Sequence, residues 1–429
     1  MADLKNLTED YATRPVPQEK TYSGVRVGFV LGGIGVALPA LLSGSEVGVA
    51  LGYEQSMWAF IVAAILVTGL AILSGWVGMR SRLSTYMILK FSFGREGARV
   101  VNLTFALAQF GWFGVNAYFF GAAAESVGQM TLGLSLPSQT YILFGGVLMT
   151  AATVFGFKAL DKLALFVFPL MIATLAFMTA KTFVGASLDD ILAIPGTGEL
   201  SFGQAITVLA GGIIVGVLLV PDLTRYARGP KDVVIAMLIA LAFIEPLVHV
   251  AASGPALRFG EIDPLALMLA LGLGVLAFIF LILASVTTNA INLYGSGLSL
   301  ASVFPRVPEY WFVIAAGVIG TCLAALNISE LFMDFLIWQS VIFSSVLGVY
   351  VVDFFLVSKG DYSLAALERA PAISWAAFAA WGLGAITSAL TFTGQFNLTG
   401  MSNLDGVIVA ALLYFALKRG LPASVSETA

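Results

Sequence analysis

The sequence has very little histidine, cysteine or charge. Its 429 residues include one histidine, His249, and one cysteine, Cys322. A single cysteine excludes an internal disulfide framework and a cysteine-based metal cluster, and a single histidine excludes the usual multi-histidine metal sites. Charged residues make up 11% of the chain, against about 25% in ordinary soluble domains. The net charge is −4 with no basic block, so we do not expect a nucleic acid as partner.

Hydrophobic residues, in contrast, make up 59% of the chain. A soluble domain cannot bury that much apolar surface, because single cores stop growing near ~250–300 residues. The composition therefore indicates a polytopic membrane protein, whose helices each need about 20 mostly apolar residues to cross the bilayer. The sequence predicts twelve such spans, numbered 1 to 12, at 27–51, 57–79, 101–128, 139–157, 160–184, 202–221, 232–254, 265–298, 310–327, 331–357, 372–393 and 404–417.

The basic residues predict the orientation of these spans. If the N-terminus lies inside, then of the 21 Lys and Arg residues only Lys181 and Arg258 fall outside, as the positive-inside rule requires. The pattern predicts an all-α protein of the cytoplasmic (inner) membrane with both termini cytoplasmic. Lipid is its expected environment, and the sequence shows no sign of an obligate protein partner.

Two similar motifs indicate an internal repeat. Gly-Gly-Ile occurs at 32–34, followed by Pro39, and again at 211–213, followed by Pro221. Glycine and proline weaken a helix, and interrupted spans in matching places of two halves indicate a transporter binding site. Small-residue packing is the alternative explanation. The motifs lie five spans apart, which predicts a five-plus-five inverted repeat, the architecture of the leucine-transporter fold. The predicted divisions are a tail at 1–25, one transporter domain at 26–420 (repeats 27–184 and 202–357, extra helices 372–417) and a tail at 421–429.

Span 3 carries a polar and aromatic face. Gln109, Trp112 and Asn116 are spaced i, i+3 and i+7, which places them on one side of a helix. An indole ring offers a large flat surface, and an amide offers both a donor and an acceptor. This face therefore fits a planar heterocycle, with interhelical amide bonding around a packing tryptophan as the alternative.

Span 8 carries Ser285, Thr287, Thr288 and Asn289 within an apolar run. Their oxygens are hard neutral ligands of the kind that suits Na⁺, and carbonyls freed by a broken span 1 would add to them. The alternative is that the hydroxyls bond to carbonyls of their own helix.

With these motifs, nearly the whole chain resembles the nucleobase:cation symporter family, in the purine–cytosine permease branch that includes bacterial cytosine permeases. The shared stretches are Pro15-Val16-Pro17-Gln18, Phe91-Ser92-Phe93-Gly94, Gln109 to Val115, Asp222 with Arg225-Tyr226, Thr287-Thr288-Asn289, Leu293-Tyr294, Ser296-Gly297 and Asp353. The resemblance implies a substrate that stacks on Trp112 and bonds to Gln109, in a region that Asn289 also lines. It implies a sodium site made by the carbonyls of Gly33 and Ala37 and the hydroxyls of Thr287 and Thr288.

The chain departs from cytosine permeases at several positions of the implied site. Gly212-Ile213 stands where they carry Ser-Phe, Ala284 replaces an Asn, and Ala290 replaces an Asp. Asn116 and Asn292 could supply replacement amides, so Gly212, Ile213, Asn116 and Asn292 are included among the candidate substrate residues.

Span 7 contains Glu245 and, four residues later, His249. Ionisable residues inside a membrane are functional by default, so a proton role is one interpretation. A neutral, hydrogen-bonded Glu245 beside a kink at Pro246 is the other. Asp222, Asp334 and Asp353 near span ends are expected to form ion pairs at gates or loops.

These observations predict a secondary transporter that imports a nucleobase such as cytosine, or a related planar N-heterocycle, with Na⁺ and by alternating access. A proton-coupled symporter and an amino-acid or amine carrier on the same fold stay open as alternatives. An enzyme is disfavoured because no catalytic cluster of His, Cys, Asp or Glu is apparent. A channel is disfavoured because no filter repeat is present. No organic cofactor is expected.

Overall fold

The computed structural model describes residues 14–420 except 134–135 and 305, and this part of the chain contains helices and no strand. The predicted tails therefore lie largely outside the described residues. The membrane helices are span 1 at Gly24–Gly35 and Leu38–Leu51, span 2 at Tyr53–Ser81, span 3 at Gly97–Leu132, spans 4 and 5 within Ser138–Thr182, span 6 at Phe202–Thr224, span 7 at Pro230–Phe259, span 8 at Val275–Val303, span 9 at Glu309–Ala325, span 10 at Phe332–Val357, span 11 at Trp375–Phe392 and span 12 at Ser402–Gly420. Short helices lie between them at Thr85–Ser92, Leu188–Leu192, Pro264–Ala270 and Leu364–Arg369.

Six helices in the described part are long and apolar enough to cross a membrane on their own: spans 2, 6, 7, 8, 10 and 11. The bent pair that forms span 1 makes a seventh. Span 9, with 17 residues, is apolar but shorter.

Spans 4 and 5 form one helical segment of 45 residues, where the sequence predicts two separate helices. Near its start, Ile142 packs against Gly121 in the second half of span 3. At its end, the Thr182 carbonyl accepts a hydrogen bond from Arg258, in the last turn of span 7, at 2.6 Å. Spans 3 and 7 begin on the same side of the bundle, so their last turns lie together on the other side. The first and last turns of the 45-residue segment contact those parts of spans 3 and 7, and therefore both lie on that other side. This placement agrees with two crossings in opposite directions.

Span 1 is broken as predicted. Its halves meet at Val36 and Ala37 and are bent by 73°. The Ala37 N–H bonds to the Gly35 carbonyl at 2.9 Å, which leaves the Gly33 carbonyl without the donor that a continuous helix would provide. Pro39 lies in the first turn of the second half, where its missing N–H costs nothing.

Span 6 is not broken, and that expectation was wrong. The helix runs from Phe202 to Thr224 with Pro221 inside it. A Cβ on Gly211 would collide with the Leu336 carbonyl of span 10, whereas one on Gly212 would meet open space. These glycines therefore provide close helix packing and cavity volume, which is the small-residue explanation, and they do not unwind the backbone.

Helix pairing follows the inverted repeat. Span 2 packs along span 6 and span 7 along span 1, while span 3 packs along span 8. The repeat relates span 2 to span 7, span 6 to span 1 and span 3 to span 8. The pair of spans 2 and 6 therefore corresponds to the pair of spans 7 and 1, and the pair of spans 3 and 8 corresponds to itself. Spans 1 and 7 approach closely because Gly44 and Gly48 of span 1 have no side chains. A Cβ on Gly44 would lie 2.7 Å from the His249 Cα, and one on Gly48 would lie 2.6 Å from the Ser253 Cβ.

Several loops that carry basic residues are joined to one another at one end of the bundle, termed the basic end. Hydrogen bonds join its loops: Gly24 N–H to Asp232 at 2.6 Å, Thr85 N–H to Asp222 at 2.9 Å and Arg95 N–H to the Pro371 carbonyl at 2.9 Å. This arrangement agrees with the predicted alternation of loops. That this end is cytoplasmic stays a prediction.

Asp353, at the basic end, does not form the expected ion pair among the described residues. Its carboxylate accepts hydrogen bonds from the hydroxyls of Tyr362 at 2.6 Å, Tyr414 at 2.6 Å and Ser358 at 3.1 Å. Three donors can satisfy a buried carboxylate without a cation. Exposed Asp334 likewise shows no ion-pair partner in the described part of the chain.

Candidate substrate and cation site

A cavity of about 1050 Å³ lies in the middle of the bundle and extends toward Asp222, Arg225 and Tyr226 at the basic end. Its walls come from spans 1, 3, 5, 6, 7, 8 and 10. Of the eleven candidate residues ten line it, namely Gly33, Ala37, Gln109, Trp112, Asn116, Gly212, Ile213, Thr287, Thr288 and Asn292. Residues far apart in the sequence thus meet at one site.

The span 3 face is held in place by hydrogen bonds. The Trp112 indole N–H donates to the Gln339 side-chain oxygen of span 10 at 2.9 Å. The Asn116 amide nitrogen donates to the Trp112 carbonyl at 2.9 Å, and the Asn116 oxygen is buried without a partner. Gln109 is 6% exposed. The tryptophan ring is therefore fixed, and its flat surface, more than its N–H, is available to a ligand.

Aromatic residues around Trp112 come from span 10. Phe332 and Phe335 meet its ring at 77° and 67°, with centroids 6.4 and 5.4 Å apart. Ile213, at the position where the resemblance implies a phenylalanine, lines the cavity but offers no ring. Sequence reasoning missed Phe332 and Gln339, although a lone glutamine in the apolar run of span 10 is a usable signal.

Asn289 is the exception among the candidates, since it does not line the cavity. It is fully buried, and its amide nitrogen donates to the Phe113 carbonyl at 3.1 Å and contacts the Met149 sulfur at 3.2 Å. Its oxygen accepts from the Asn292 amide at 3.1 Å. Asn289 therefore holds Asn292, which lines the cavity.

The implied sodium ligands differ in how many other partners they have. The Thr288 hydroxyl is buried with no hydrogen-bond partner, and the Gly33 carbonyl has lost its helical donor. Thr287 donates to the carbonyls of Leu283 and Ala284 at 2.8 and 3.1 Å, and the Ala37 carbonyl accepts from Ala40 and Leu41. A hydroxyl that donates elsewhere still presents lone pairs to a cation. Four neutral oxygens of this kind fit a monovalent hard cation.

Glu245 and His249 share a face, as predicted, and both line the cavity. The Glu245 Oε1 and His249 Nε2 atoms are 3.9 Å apart, and the histidine ring stacks on Phe60 with centroids 5.3 Å apart. Glu245 Oε2 is buried and has no hydrogen-bond partner. A Cβ on Gly35 would lie 2.6 Å from that oxygen, so the carboxyl group reaches the break in span 1.

A membrane bundle with a broken first helix and a central, partly polar cavity is the arrangement of many secondary transporters. The chain belongs to the family of permeases for cytosine and purines, uracil, thiamine and allantoin, whose pattern matches residues 15–415. The predictions of this family and of a transporter in place of an enzyme are confirmed.

Individual relatives agree with this assignment. The cytosine permease of Escherichia coli O157:H7 is 29% identical over 410 residues, covering 95% of this chain and 94% of the relative. The hydantoin permease of Microbacterium maritypicum is 23% identical, covering 85% and 80%.

Solved structures confirm the leucine-transporter-like fold. Mhp1, a nucleobase-cation-symport-1 family transporter, in a closed conformation with bromovinylhydantoin bound, superimposes with a TM-score of 0.83 at 18% identity, covering 94% of each chain. A Na⁺-coupled sialic acid symporter in a substrate-bound outward-open state gives 0.67 at 11% identity, covering 93% and 90%.

Proposed function

We propose that the protein imports a planar N-heterocycle of the nucleobase type together with Na⁺, by alternating access, across the cytoplasmic membrane. The observation that carries the proposal is the single cavity shared by the Gln109–Trp112–Asn116 face and by the freed Gly33 carbonyl and Thr288 hydroxyl. A ligand and a cation bound there would favour the same arrangement of spans 1, 3 and 8, and such coupling is reciprocal.

The substrate would stack on Trp112 and bond to Gln109, with Asn116 and Asn292 on the cavity wall beside it. Gly212 and Ile213 would form the wall beside the ring. Ile213 provides apolar contact but no second aromatic surface, so the second ring beside the substrate would be that of Phe332, which lines the cavity next to Trp112. This arrangement supports a flat uncharged or singly charged ring better than a flexible amino acid, because the described cavity wall offers a rigid aromatic face.

Na⁺ would bind between spans 1 and 8 and would be held by the oxygens of Gly33, Ala37, Thr287 and Thr288, four residues that line the same cavity. None of these ligands carries charge, so the site favours a monovalent cation over a divalent one, which generally draws on carboxylates. Among the described residues, no group of three or more His, Cys, Asp or Glu could hold another metal.

Thermal stability of the purified protein tests the proposal. A panel of pyrimidines, purines and hydantoins is added with Na⁺ or with K⁺ at equal ionic strength. Stabilisation grows as RT ln(1 + [L]/Kd), so we expect at least one heterocycle to raise the midpoint more in Na⁺ than in K⁺. If no heterocycle stabilises the protein in either salt, the proposal is wrong.

A further inference from the structure

The short helix between spans 2 and 3, termed the loop helix (Thr85–Ser92), is buried although it belongs to a connection. Seven of its eight residues are buried, and Lys90 is partly exposed. The loop helix packs against spans 3, 6 and 10. Connecting segments usually run over the protein surface, so this one is unusual in forming part of the packing at the basic end.

The loop helix is attached firmly at both of its ends. At the first residue, the Thr85 N–H donates to the Asp222 carboxylate of span 6 at 2.9 Å, and the Thr85 hydroxyl donates to the Leu218 carbonyl at 3.2 Å. Near the other end, the Phe91 ring stacks on that of Tyr362, which follows span 10, with centroids 4.1 Å apart. These contacts fix the loop helix to span 6 and to the region after span 10.

A hydrogen bond from Tyr86 connects the loop helix to span 8. The tyrosine hydroxyl donates to the Gly295 carbonyl at 3.0 Å, and both residues line the cavity. A Cβ on Gly295 would lie 2.6 Å from Gln109 Nε2 and 3.9 Å from Tyr86 Oη. The tyrosine hydroxyl therefore meets span 8 at the same residue as the amide that is proposed to bind the substrate.

The attachment to span 8 is weaker than the attachment to span 6. Both spans form walls of the cavity where it approaches the basic end, so closing that end changes the distance between them. Because the loop helix is bonded to both spans, the movement has to release one of the two attachments. Thr85 makes two hydrogen bonds to span 6, one of them to a carboxylate, whereas Tyr86 makes a neutral bond to span 8. Bonds to charged groups are the stronger ones, so the Tyr86 bond is the one that breaks.

We propose that Tyr86 is a positioning residue for transport, whose hydrogen bond to Gly295 stabilises the arrangement in which the cavity reaches the basic end. The bond is absent when that end closes and the cavity opens to the other side. A contact that is made in one of two states shifts the equilibrium toward that state. The inference rests on the proposed function and names a residue that sets the balance between its two states.

Labelling of a cysteine in the cavity tests the inference on the full-length protein. The reporter is Gly212→Cys in a Cys322→Ser background, and its reaction with a membrane-impermeant thiol reagent is measured in inside-out and in right-side-out vesicles. The ratio of the two rates follows the ratio of the two states. Tyr86→Phe keeps the ring and removes the hydroxyl. Loss of one neutral hydrogen bond corresponds to a factor of roughly 2 to 13, so we expect labelling from the basic end, relative to the other end, to fall by that factor.

Three further variants serve as controls. Lys231→Cys, at an exposed position after span 6, shows which vesicles present the basic end. Tyr414→Phe removes a hydroxyl that contacts the same loop helix at the Ser92 carbonyl from span 12, and it should lower thermal stability without changing the labelling ratio. Gly295→Ala keeps the carbonyl that accepts from Tyr86 but displaces the Gln109 amide, so it should weaken heterocycle binding and leave the ratio as it is.

The failure of the inference differs from that of the proposed function. An unchanged labelling ratio in Tyr86→Phe, or an equal change in Tyr414→Phe, overturns the inference while heterocycle transport stands. A ratio that shifts toward the basic end would assign the bond to the closed arrangement and also overturn it. Absence of binding by every heterocycle to the unmodified protein overturns the proposed function, whatever the labelling ratio is.

Discussion

At the residue scale, two asparagines on span 8 have different roles although they are one turn apart. Asn292 lines the cavity, and Asn289 lies behind it with three contacts inside the protein. We predict that Asn289→Ala lowers the free energy of unfolding by about 1–3 kcal/mol, because it removes the bond to the Phe113 carbonyl and leaves the Asn292 amide nitrogen unpaired. Asn292→Ala should reduce affinity with a smaller loss of stability. Denaturation and ligand titration of both variants separate the two effects, and equal stability losses would contradict the assignment.

Trp112 supplies the flat surface of the proposed site. Stacking of a base on an aromatic side chain contributes about 1–3 kcal/mol, so we expect Trp112→Ala to weaken heterocycle binding by roughly 5- to 150-fold. Trp112→Phe should retain much of the affinity, because it keeps a ring but loses the bond to Gln339. Calorimetric titration measures both. An alanine variant with unchanged affinity would place the ligand elsewhere in the cavity.

The sequence predicted these residues where their arrangement is local. Gln109, Trp112 and Asn116 share a face because helical spacing requires it. Gln339 and Phe332 were missed because they reach Trp112 from more than 200 residues away in the chain, and no local pattern specifies which distant helix will pack there. Asn289 was misplaced for a related reason, since one turn of helix separates a residue that faces the cavity from one behind it.

At the element scale, the same Gly-Gly-Ile motif has two outcomes. In span 1 it precedes a bend of 73°, and in span 6 the helix continues. The difference lies in the packing partners, because Gly211 is pressed against the span 10 backbone at Leu336. Composition shows that a helix is weak at a position, but the neighbouring helix decides whether it breaks.

Adjacent glycines of span 6 provide a matched test of this account. Gly211→Ala forces a methyl group into the Leu336 carbonyl, whereas Gly212→Ala adds one facing open space. We expect Gly211→Ala to cost about 1–3 kcal/mol, the usual effect of overpacking, and Gly212→Ala to leave the thermal midpoint nearly unchanged. Similar midpoints for the two variants would show that span 6 does not pack closely on span 10.

At the scale of the whole molecule, the cavity reaches the basic end, which the sequence predicts to be cytoplasmic. The chain offers a simple test because its only cysteine is Cys322, which is exposed on span 9. In a Cys322→Ser background, a cysteine introduced by Gly212→Cys should react with a membrane-impermeant thiol reagent in inside-out vesicles. Labelling restricted to right-side-out cells would place the opening of the cavity on the other side.

The central claim is that Na⁺ and a planar heterocycle are transported together through one cavity. The most direct test is uptake of radiolabelled cytosine, or of the heterocycle that stabilises the protein most, into proteoliposomes under an inward Na⁺ gradient. We expect concentrative uptake that stops when K⁺ replaces Na⁺ and that is lost in Thr288→Ala, whose hydroxyl lacks any other partner. Equal uptake in Na⁺ and K⁺, or wild-type uptake by Thr288→Ala, would contradict the account.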